Sequence, residues 1–448
     1  MSEPDPTSKT KIIVLDDDPT GSQTVHSCLL LTRWDADTLR VALNDAAPLF
    51  FLLTNTRGMN PAQAADTVRG VCRNLKAVLR DNAMAPLVVS RSDSTLRGHY
   101  PLETDILAEE LGPFDAHFLV PAFFEGGRIT VNSVHYLVSD GTRIPVHETE
   151  FARDSVFAYH HSDLPAYVEE KTAGRIKARE VVRFTLADVR AGCLPRLLSL
   201  TGNVCVVVDA ETQADLDRFT DDLRCAMAQG KRFLLRSAAS LLTSLARLPP
   251  QPVAPEDMRR YVRADAPGAV IVGSHVPRTT QQLERLLRMP GVAPLEVDVR
   301  RLPDARNELL ASLTEAARRA HARGQTPVIY TRREERAFDD PRARLAFGKT
   351  VSALLMDVVR ALPPTLGYLI SKGGITSNDL LSDGLALRMA RLLGQILPGC
   401  SVVRCPPDHP RFPDLPVVIF PGNVGGPDAL ATVYARLGKT DNSLSESA

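Results

Sequence analysis

The chain has 448 residues, 44% of them hydrophobic and 24% charged, with Lys+Arg and Asp+Glu equal at 53 each. That length calls for two or three domains, and a net charge of zero leaves no global field to attract nucleic acid or an anionic membrane. Seven cysteines (Cys28, Cys72, Cys193, Cys205, Cys225, Cys400 and Cys405) are odd in number and scattered, with no C-x-x-C, which argues against a disulfide framework or a cysteine zinc site and fits a reducing, cytoplasmic location.

The opening MSEPDPTSKTK is polar and runs straight into a strand-like segment, unlike a signal peptide. No apolar run approaches the roughly 18 residues of a membrane span. From there, short apolar runs alternate with amphipathic stretches. The runs are Lys11–Leu15, Pro48–Leu53, Leu87–Val89, His117–Val120, Val204–Val208, Ala269–Val272, Val328–Tyr330, Gly367–Ile370 and Val417–Phe420. Such runs suit strands buried on both faces of a mostly parallel sheet. Helical patterns cover Asn60–Asn82, Thr280–Arg288, Ala305–Ala322, Arg342–Ala361 and Ser377–Leu397. The alternation predicts an α/β fold of two domains, each a mostly parallel sheet flanked by helices, with the active site expected in the cleft between them. A polar segment from Gly126 to Glu180 reads as a loop-and-hairpin excursion over a site. The Pro-rich stretch Leu248–Glu256 marks the linker. The expected organisation is therefore an N-terminal domain 1–245, a linker 246–254, a C-terminal domain 255–438, and a disordered Ser-rich tail 439–448.

Chemistry concentrates where apolar runs end, the side on which open α/β sheets bind ligands. After KIIVL come Asp16, Asp17 and Asp18, then Pro-Thr-Gly. Adjacent carboxylates repel one another unless a cation or donor relieves them, which suits a base or an acceptor for a polyol. The competing reading is an N-cap, a job one Asp can do alone. After Leu87–Val89, the segment SRSDSTLRGHY offers Arg91, Asp93, Ser94 and Arg97 as a clamp for a carboxylate or phosphate. The competing reading there is a solvated loop with an internal Arg–Asp pair. In PAFFEGGRITVNSVH, His135 by itself reads as a structural histidine. His160–His161 has no third ligand at metal spacing, so no metal site is proposed from side chains.

In the second half, three strand ends carry small residues: Gly273-Ser274, Ser371-Lys372-Gly373-Gly374-Ile375-Thr376 and Pro421-Gly422-Asn423-Val424-Gly425-Gly426. Glycine lets backbone N–H groups approach phosphate. Ser377 or Asn378 is positioned to cap a helix beginning there. None of these turns is a P-loop or a G-x-G-x-x-G fingerprint. Together they point to a nucleotide phosphate site.

The motifs LDDDPTGS, SDSTLRG, PAFFEGGRITVNSVHYL, ETEFARDSV, LLRSAAS, VIVGSHVPRTTQQL, SKGGITSND and IFPGNVGGPDAL occur here in one order. In this the chain resembles the four-carbon acid sugar kinase family. The resemblance implies a sugar-acid-binding N-terminal domain, an ATP-binding C-terminal domain, and phosphorylation of acids such as threonate, erythronate or 3-oxo-tetronates. It implies that Asp17, Asp18, Asp93, Ser94 and Arg97 lie on the substrate side; in the mechanism expected here Asp17 or Asp18 is the catalytic base, and Arg97, with Arg91 as a second cation, faces the acid's carboxylate. Ser274, Gly373, Gly374, Ile375, Thr376 and Gly422 fall at the ATP contacts, and Mg²⁺ would bridge the phosphates. Departures mark a distinct subgroup: Ile375 stands where the family often has Glu, Phe420-Pro421 where it has Lys-Ser, Val424 for Phe, Asp16 for Ala, and Pro19 for an aliphatic residue. A homodimer is the base-rate expectation. Two other readings compete. One is a haloacid-dehalogenase-like phosphatase using Asp16 and Asp18, since VLDDDPT fits Asp-x-Asp-x-Thr; it also needs a Lys and a late acidic pair after a strand, whereas Asp221-Asp222 and Asp339-Asp340 lie in helical or Arg-rich loop sequence. The other is a non-catalytic sensor of sugar acid and nucleotide.

Overall fold

The computed structural model describes residues 10–82, 86–139, 141–333 and 341–438. The tail 439–448, Asp339-Asp340 and most of the polar opening lie outside these. The chain divides into two compact units, Met1–Pro249 and Pro250–Ala448.

The first unit contains β1 (Ile12–Asp16), β2 (Leu29–Leu31), β3 (Leu49–Leu53), β4 (Leu87–Arg91), β5 (Ala116–Val120), β6 (Arg128–Val131), β7 (Val134–Ser139), β8 (Thr142–Pro145), β9 (Val182–Phe184), β10 (Val204–Val208) and β11 (Phe233–Ser237). Its main sheet runs β2-β3-β1-β4-β11-β5-β10-β9, and every pairing is parallel. β1, β3, β4, β5 and β11 are buried along their whole length. Helices on both faces dictate that composition. Under one of them, Phe118 packs against Phe184, Phe219 and Phe233 at ring separations of 6.4, 5.7 and 5.3 Å. The strand order reverses at β1, which lies between β3 and β4, so a crevice opens beyond its carboxyl end. The polar excursion contains a three-stranded antiparallel sheet, β6-β7-β8, and the helix Leu164–Lys171.

The second unit contains β12 (Ala269–Val272), β13 (Val292–Val297), β14 (Thr326–Thr331), β15 (Leu369–Lys372), β16 (Met389–Leu397), β17 (Cys400–Arg404) and β18 (Pro416–Phe420). The order β13-β14-β12-β15-β18 is parallel, and β17 and β16 continue it antiparallel. Helices Pro277–Leu286, Leu302–Ala322, Pro341–Ala361 and Ala429–Leu437 flank this sheet. Among the described residues no helix is long and apolar enough to cross a membrane.

One sequence expectation is corrected. The helix read over Ser377–Leu397 is instead a short helix Gly374–Asp379, a wide turn Leu380–Gly384, and the strand β16. Leu, Met, Ala, Arg and Gln are good helix formers, which hid the strand. Its alternation is visible at Ala390, Leu392 and Ile396, which are buried, against Met389, Arg391 and Gln395, which are partly exposed. A register shift at Leu392/Gly394 breaks the period of two, with Gly394 at φ +134°. Pairing with β17 decides the conformation over local propensity.

Candidate active site

In the first unit, the carboxyl ends of β1, β3, β4 and β11, with the helix Leu102–Leu111, bring together five acidic and four basic side chains. Asp17, 2% exposed, lies just beyond β1. Its Oδ1 accepts from Arg57 Nη2 at 2.5 Å and its Oδ2 from Arg57 Nε at 3.2 Å. Oδ2 also accepts from Ser92 Oγ at 2.7 Å. Burial pushes this carboxyl up, but the guanidiniums of Arg57, Arg91 and Arg236 outweigh it and hold it below the usual range. Arg57 reaches Asp18 at 3.6 Å and Asp93 at 4.0 Å, so one guanidinium serves three carboxylates.

Asp18 takes the part that a single Asp can play alone. Its Oδ1 accepts from the Thr20 backbone N–H at 2.8 Å and from Thr20 Oγ1 at 2.5 Å, capping the short 3-10 turn Pro19–Ser22. Asp16 is 0% exposed. Its Oδ1 faces Arg91 Nη1 at 3.3 Å, and its Oδ2 has no hydrogen-bond partner among the described residues. Burial, which outweighs Arg91, raises its pKa to about 7, with the Asp17 and Asp18 charges adding to the effect. A Cβ on Gly21 would stand 2.2 Å from Asp16 Oδ1. The turn is therefore packed down onto this carboxyl, which does not suit the nucleophile of the phosphatase reading. Nor is Asp221-Asp222 a strand-end pair: both lie in the helix Gln213–Ala228, where Asp222 accepts from the Cys193 N–H at 2.6 Å.

Arg91 and Arg97 each have their own carboxylates. Arg91 is buried and faces Asp16, with Asp17 at 3.7 Å. Arg97 donates to Asp93 Oδ2 at 2.8 Å, approaches Asp154 at 3.6 Å and lies 5.0 Å over the Phe151 ring. Thr95 also donates to Asp93. Burial would raise the Asp93 carboxyl, yet Arg57 and Arg97 hold it well below the ordinary range. The Ser94 carbonyl accepts from His135 Nε2 at 2.8 Å, and His135 Nδ1 accepts from Thr130 Oγ1 at 2.9 Å. Burial lowers the pKa of this histidine to about 4, so it braces the Asp93–Arg97 loop as a neutral ring.

Four contributors are not apparent in the sequence reading: Arg57, Ser92, Glu103 and Arg236. Arg236 donates to Ser90 Oγ and Ser92 Oγ, each at 2.7 Å, and pairs with Glu103. A charge inside the apolar run FLLRS was the available signal, as was the polar TNTR that follows β3. Gly98, at φ +123°, lets the chain pass this cluster: a Cβ there would meet Ser92 Oγ at 2.5 Å, Arg236 Nη2 at 2.9 Å and Asp17 Oδ2 at 3.0 Å. A cavity of about 20 Å³ beside it is lined by Ser92, Asp93, Arg97, Tyr100 and Arg236.

In the second unit, the ends of the adjacent strands β12, β15 and β18 bring Ser274, Gly373, Thr376 and Gly422 together. A Cβ on Gly373 (φ +116°) would lie 2.9 Å from Ser274 Cβ and 3.3 Å from Thr376 Oγ1, and one on Gly422 would lie 3.2 Å from Ser274 Oγ. The helix after β15 begins at Gly374 with Gly373 as its cap. Ser377 and Asn378 lie within it, so neither is the cap expected; Ser377 Oγ donates back to Ser371 Oγ at 3.0 Å. Ile375 is 69% exposed on this turn. Lys372 is wholly buried beneath it, and its Nζ donates to the Pro421 carbonyl at 2.5 Å and the Gly422 carbonyl at 3.2 Å.

Comparison with known proteins separates the same two halves. Residues 12–245 match the model of a sugar-binding N-terminal domain, and residues 269–430 match that of a nucleotide-binding C-terminal domain. A D-erythronate kinase of Heliobacterium modesticaldum is 30% identical over 219 residues, which are 46% of this chain and 47% of that enzyme, so the match spans about half of each. Two solved structures share the fold. A Salmonella typhimurium LT2 protein, solved under the provisional label of a tRNA synthase, is 18% identical with a TM-score of 0.68, over 95% of this chain and 98% of its own. A Haemophilus influenzae protein of the DUF1537 family is 17% identical with a TM-score of 0.63, over 95% of this chain and 100% of its own. With the sugar-binding model alone covering just over half of the sequence and the nucleotide-binding model following it, the chain belongs to the four-carbon acid sugar kinase family.

Proposed function

We propose that this protein transfers the γ-phosphoryl group of ATP to a hydroxyl of a small, four-carbon sugar acid. The observation that carries this reading is the Asp17–Arg57–Asp93–Arg97 network at the strand ends of the unit that matches a sugar-binding domain. Polyol hydroxyls need carboxylate acceptors, and an acid's carboxylate needs guanidinium donors. Both types are present and held in place by one another.

Asp17 is assigned the role of accepting the reacting hydroxyl's proton. Its depressed pKa makes it a weak base, which suits phosphoryl transfer, where positioning and charge neutralisation matter more than proton abstraction. Asp18 holds the turn that carries it. Arg97, with Arg91 behind it, supplies positive charge for the acid's carboxylate, and Asp93 orients Arg97. Ser94 fixes its loop through its carbonyl. The cavity of about 20 Å³ beside this network takes one water-sized group.

ATP is assigned to the second unit, where Gly273 and Gly373 leave no room for a Cβ and one on Gly422 would press on Ser274 Oγ at 3.2 Å, so three strand ends meet as close-packed glycine backbone, the kind of turn whose N–H groups cradle phosphate. Ser274, Gly373, Gly374, Ile375, Thr376 and Gly422 would line it. Bound ATP supplies the phosphoryl group, and Mg²⁺ neutralises its charge. Mg²⁺ would be held mostly by phosphate oxygens and water.

The test is ADP formation with Mg-ATP against a panel of threonates, erythronates and oxo-tetronates. Turnover with one acid and none without acid is the expected result. ATP binding without turnover on any acid would favour the sensor reading. Phosphate release from simple phosphoesters without nucleotide would overturn the kinase reading.

A further inference from the structure

The turn Pro421–Gly426 after β18 has its carbonyls tied inward by side chains of its own unit. Lys372 Nζ holds the carbonyls of Pro421 and Gly422 at 2.5 and 3.2 Å. Thr279 Oγ1 donates to the same Gly422 carbonyl at 3.1 Å. Gln282 Nε2 donates to the carbonyls of Val424 and Gly426 at 2.9 and 2.8 Å. Thr279, Gln282 and Lys372 are each 0% exposed. In a planar trans peptide the N–H points opposite to the C=O. Drawing those carbonyls inward therefore turns the N–H groups of Gly422, Asn423 and Gly425 outward, away from Lys372, Thr279 and Gln282.

We propose that Lys372, Thr279 and Gln282 are positioning residues that set the polarity of the Pro421–Gly426 turn, making it a backbone cradle for the nucleotide's polyphosphate. This rests on the ATP reading above. The cradle needs no side-chain counter-charge at Phe420-Pro421, because the cation stands behind the turn. Phe420 serves that cation too: its ring centroid is 3.9 Å from Lys372 Nζ. Two carbonyls and a ring face match the three N–H bonds of an ammonium, and the two carbonyls alone match those of a neutral amine.

This geometry carries a proton signature. Burial lowers the Lys372 pKa to about 7; Arg278 acts in the same direction and Cys400 opposes it. A polyphosphate on the far side of the turn favours the ammonium, so binding takes up a proton when the free amine is largely neutral.

The probes are MgADP, inorganic tripolyphosphate and adenosine, titrated calorimetrically into the full chain at pH 8. For MgADP that pH is about two units above the phosphate's second pKa, so its own protonation drops out; tripolyphosphate still carries part of its last proton there, and its proton count is corrected by titrating the free ligand in the same buffers. In two buffers of different ionisation enthalpy, the wild-type chain is expected to take up part of a proton with MgADP and with tripolyphosphate, but not with adenosine. Lys372→Met should abolish that uptake, and Gln282→Leu should weaken both phosphate ligands at least tenfold while leaving adenosine unchanged. General damage to the unit would weaken all three probes together. Should Lys372→Met fail to fold, proton uptake by the wild-type chain still decides. Proton-neutral binding of MgADP, or wild-type affinity in Gln282→Leu, overturns the proposal, as does a wild-type chain that binds neither phosphate ligand. Binding of tripolyphosphate with proton uptake, but of no adenine nucleotide, keeps the cradle and removes the ATP reading.

Discussion

Arg57 grips Asp17 with two nitrogens, Nη2 on Oδ1 at 2.5 Å and Nε on Oδ2 at 3.2 Å. The pair is bidentate, with Asp17 2% exposed and Arg57 18% exposed, so the buried carboxylate cannot lose its partner cheaply. Arg57→Ala leaves a buried carboxylate with reduced compensation and is expected to cost about 3–5 kcal/mol of stability in urea titration. Asp17→Asn should keep the fold better and lower kcat by about 10²-fold or more, with nucleotide affinity unchanged. Near-normal kcat in Asp17→Asn would remove Asp17 from the reaction.

Asp16 predicts an unusual pH dependence. Its folded pKa, about 7, lies above the unfolded value of 3.8. The folded state thus binds the extra proton between those values, and the group's contribution is present below pH 4 and lost as pH rises through 7. His135 runs the other way over much of the same window: its folded value, about 4, is below the ordinary 6.5, so its contribution is lost as pH falls from 6.5 towards 4. The two slopes oppose each other in the wild-type chain. Asp16→Asn should remove one of them, making the variant more stable than wild type at pH 8. That advantage should shrink by up to about 1.4 kcal/mol per pH unit on acidification. Chemical denaturation of both proteins at pH 5, 6.5 and 8 measures this. A constant difference across the three would show that Asp16 does not titrate there.

Two glycines separate the two ligand sites. Gly98→Ala places a methyl against Ser92 Oγ and Arg236 at a φ of +123°. It should weaken sugar-acid binding at least tenfold and leave MgADP binding intact. Gly373→Ala, at φ +116° against Ser274, should do the reverse. Isothermal titration of each variant with each ligand tests both halves. Equal loss of both ligands in either variant would point to global damage instead.

Ile375 is the most exposed of the large hydrophobic residues described. Ile375→Ala should change stability by less than about 0.5 kcal/mol. If the side chain borders bound nucleotide, its removal alters KM for ATP and leaves KM for the acid alone. Steady-state kinetics with each substrate varied in turn would show this.

The strand ends were readable because buried parallel strands are continuous apolar runs, and ligands gather at their carboxyl ends. That rule picked out Asp17, Asp93, Arg97 and the glycine turns, all of which lie at or just beyond strand ends. It did not assign roles within the acidic triplet, because which of three neighbouring carboxylates caps, pairs or is buried depends on Arg57 and Arg91, which arrive from other strands. Arg236 was missed because it lies in the last strand of its sheet to appear in sequence. The part Lys372 plays was hidden because its amine faces two carbonyls that belong to the turn after β18. β16 was misread because its residues favour helix and its alternation is interrupted at Gly394.

The insertion of β11 between β4 and β5 has a consequence for the order in which the molecule can be built. Those two neighbours are complete by Val120, yet the strand that joins them begins only at Phe233. During synthesis a chain of some two hundred residues leaves the ribosome with an open slot in its sheet and with Glu103 lacking its Arg236 partner. The charge network at these strand ends cannot close until that strand docks. Assembly of the sheet and maturation of the site are therefore one late event, gated by a long-range contact. A nascent chain stopped short of Ser237 should lack both.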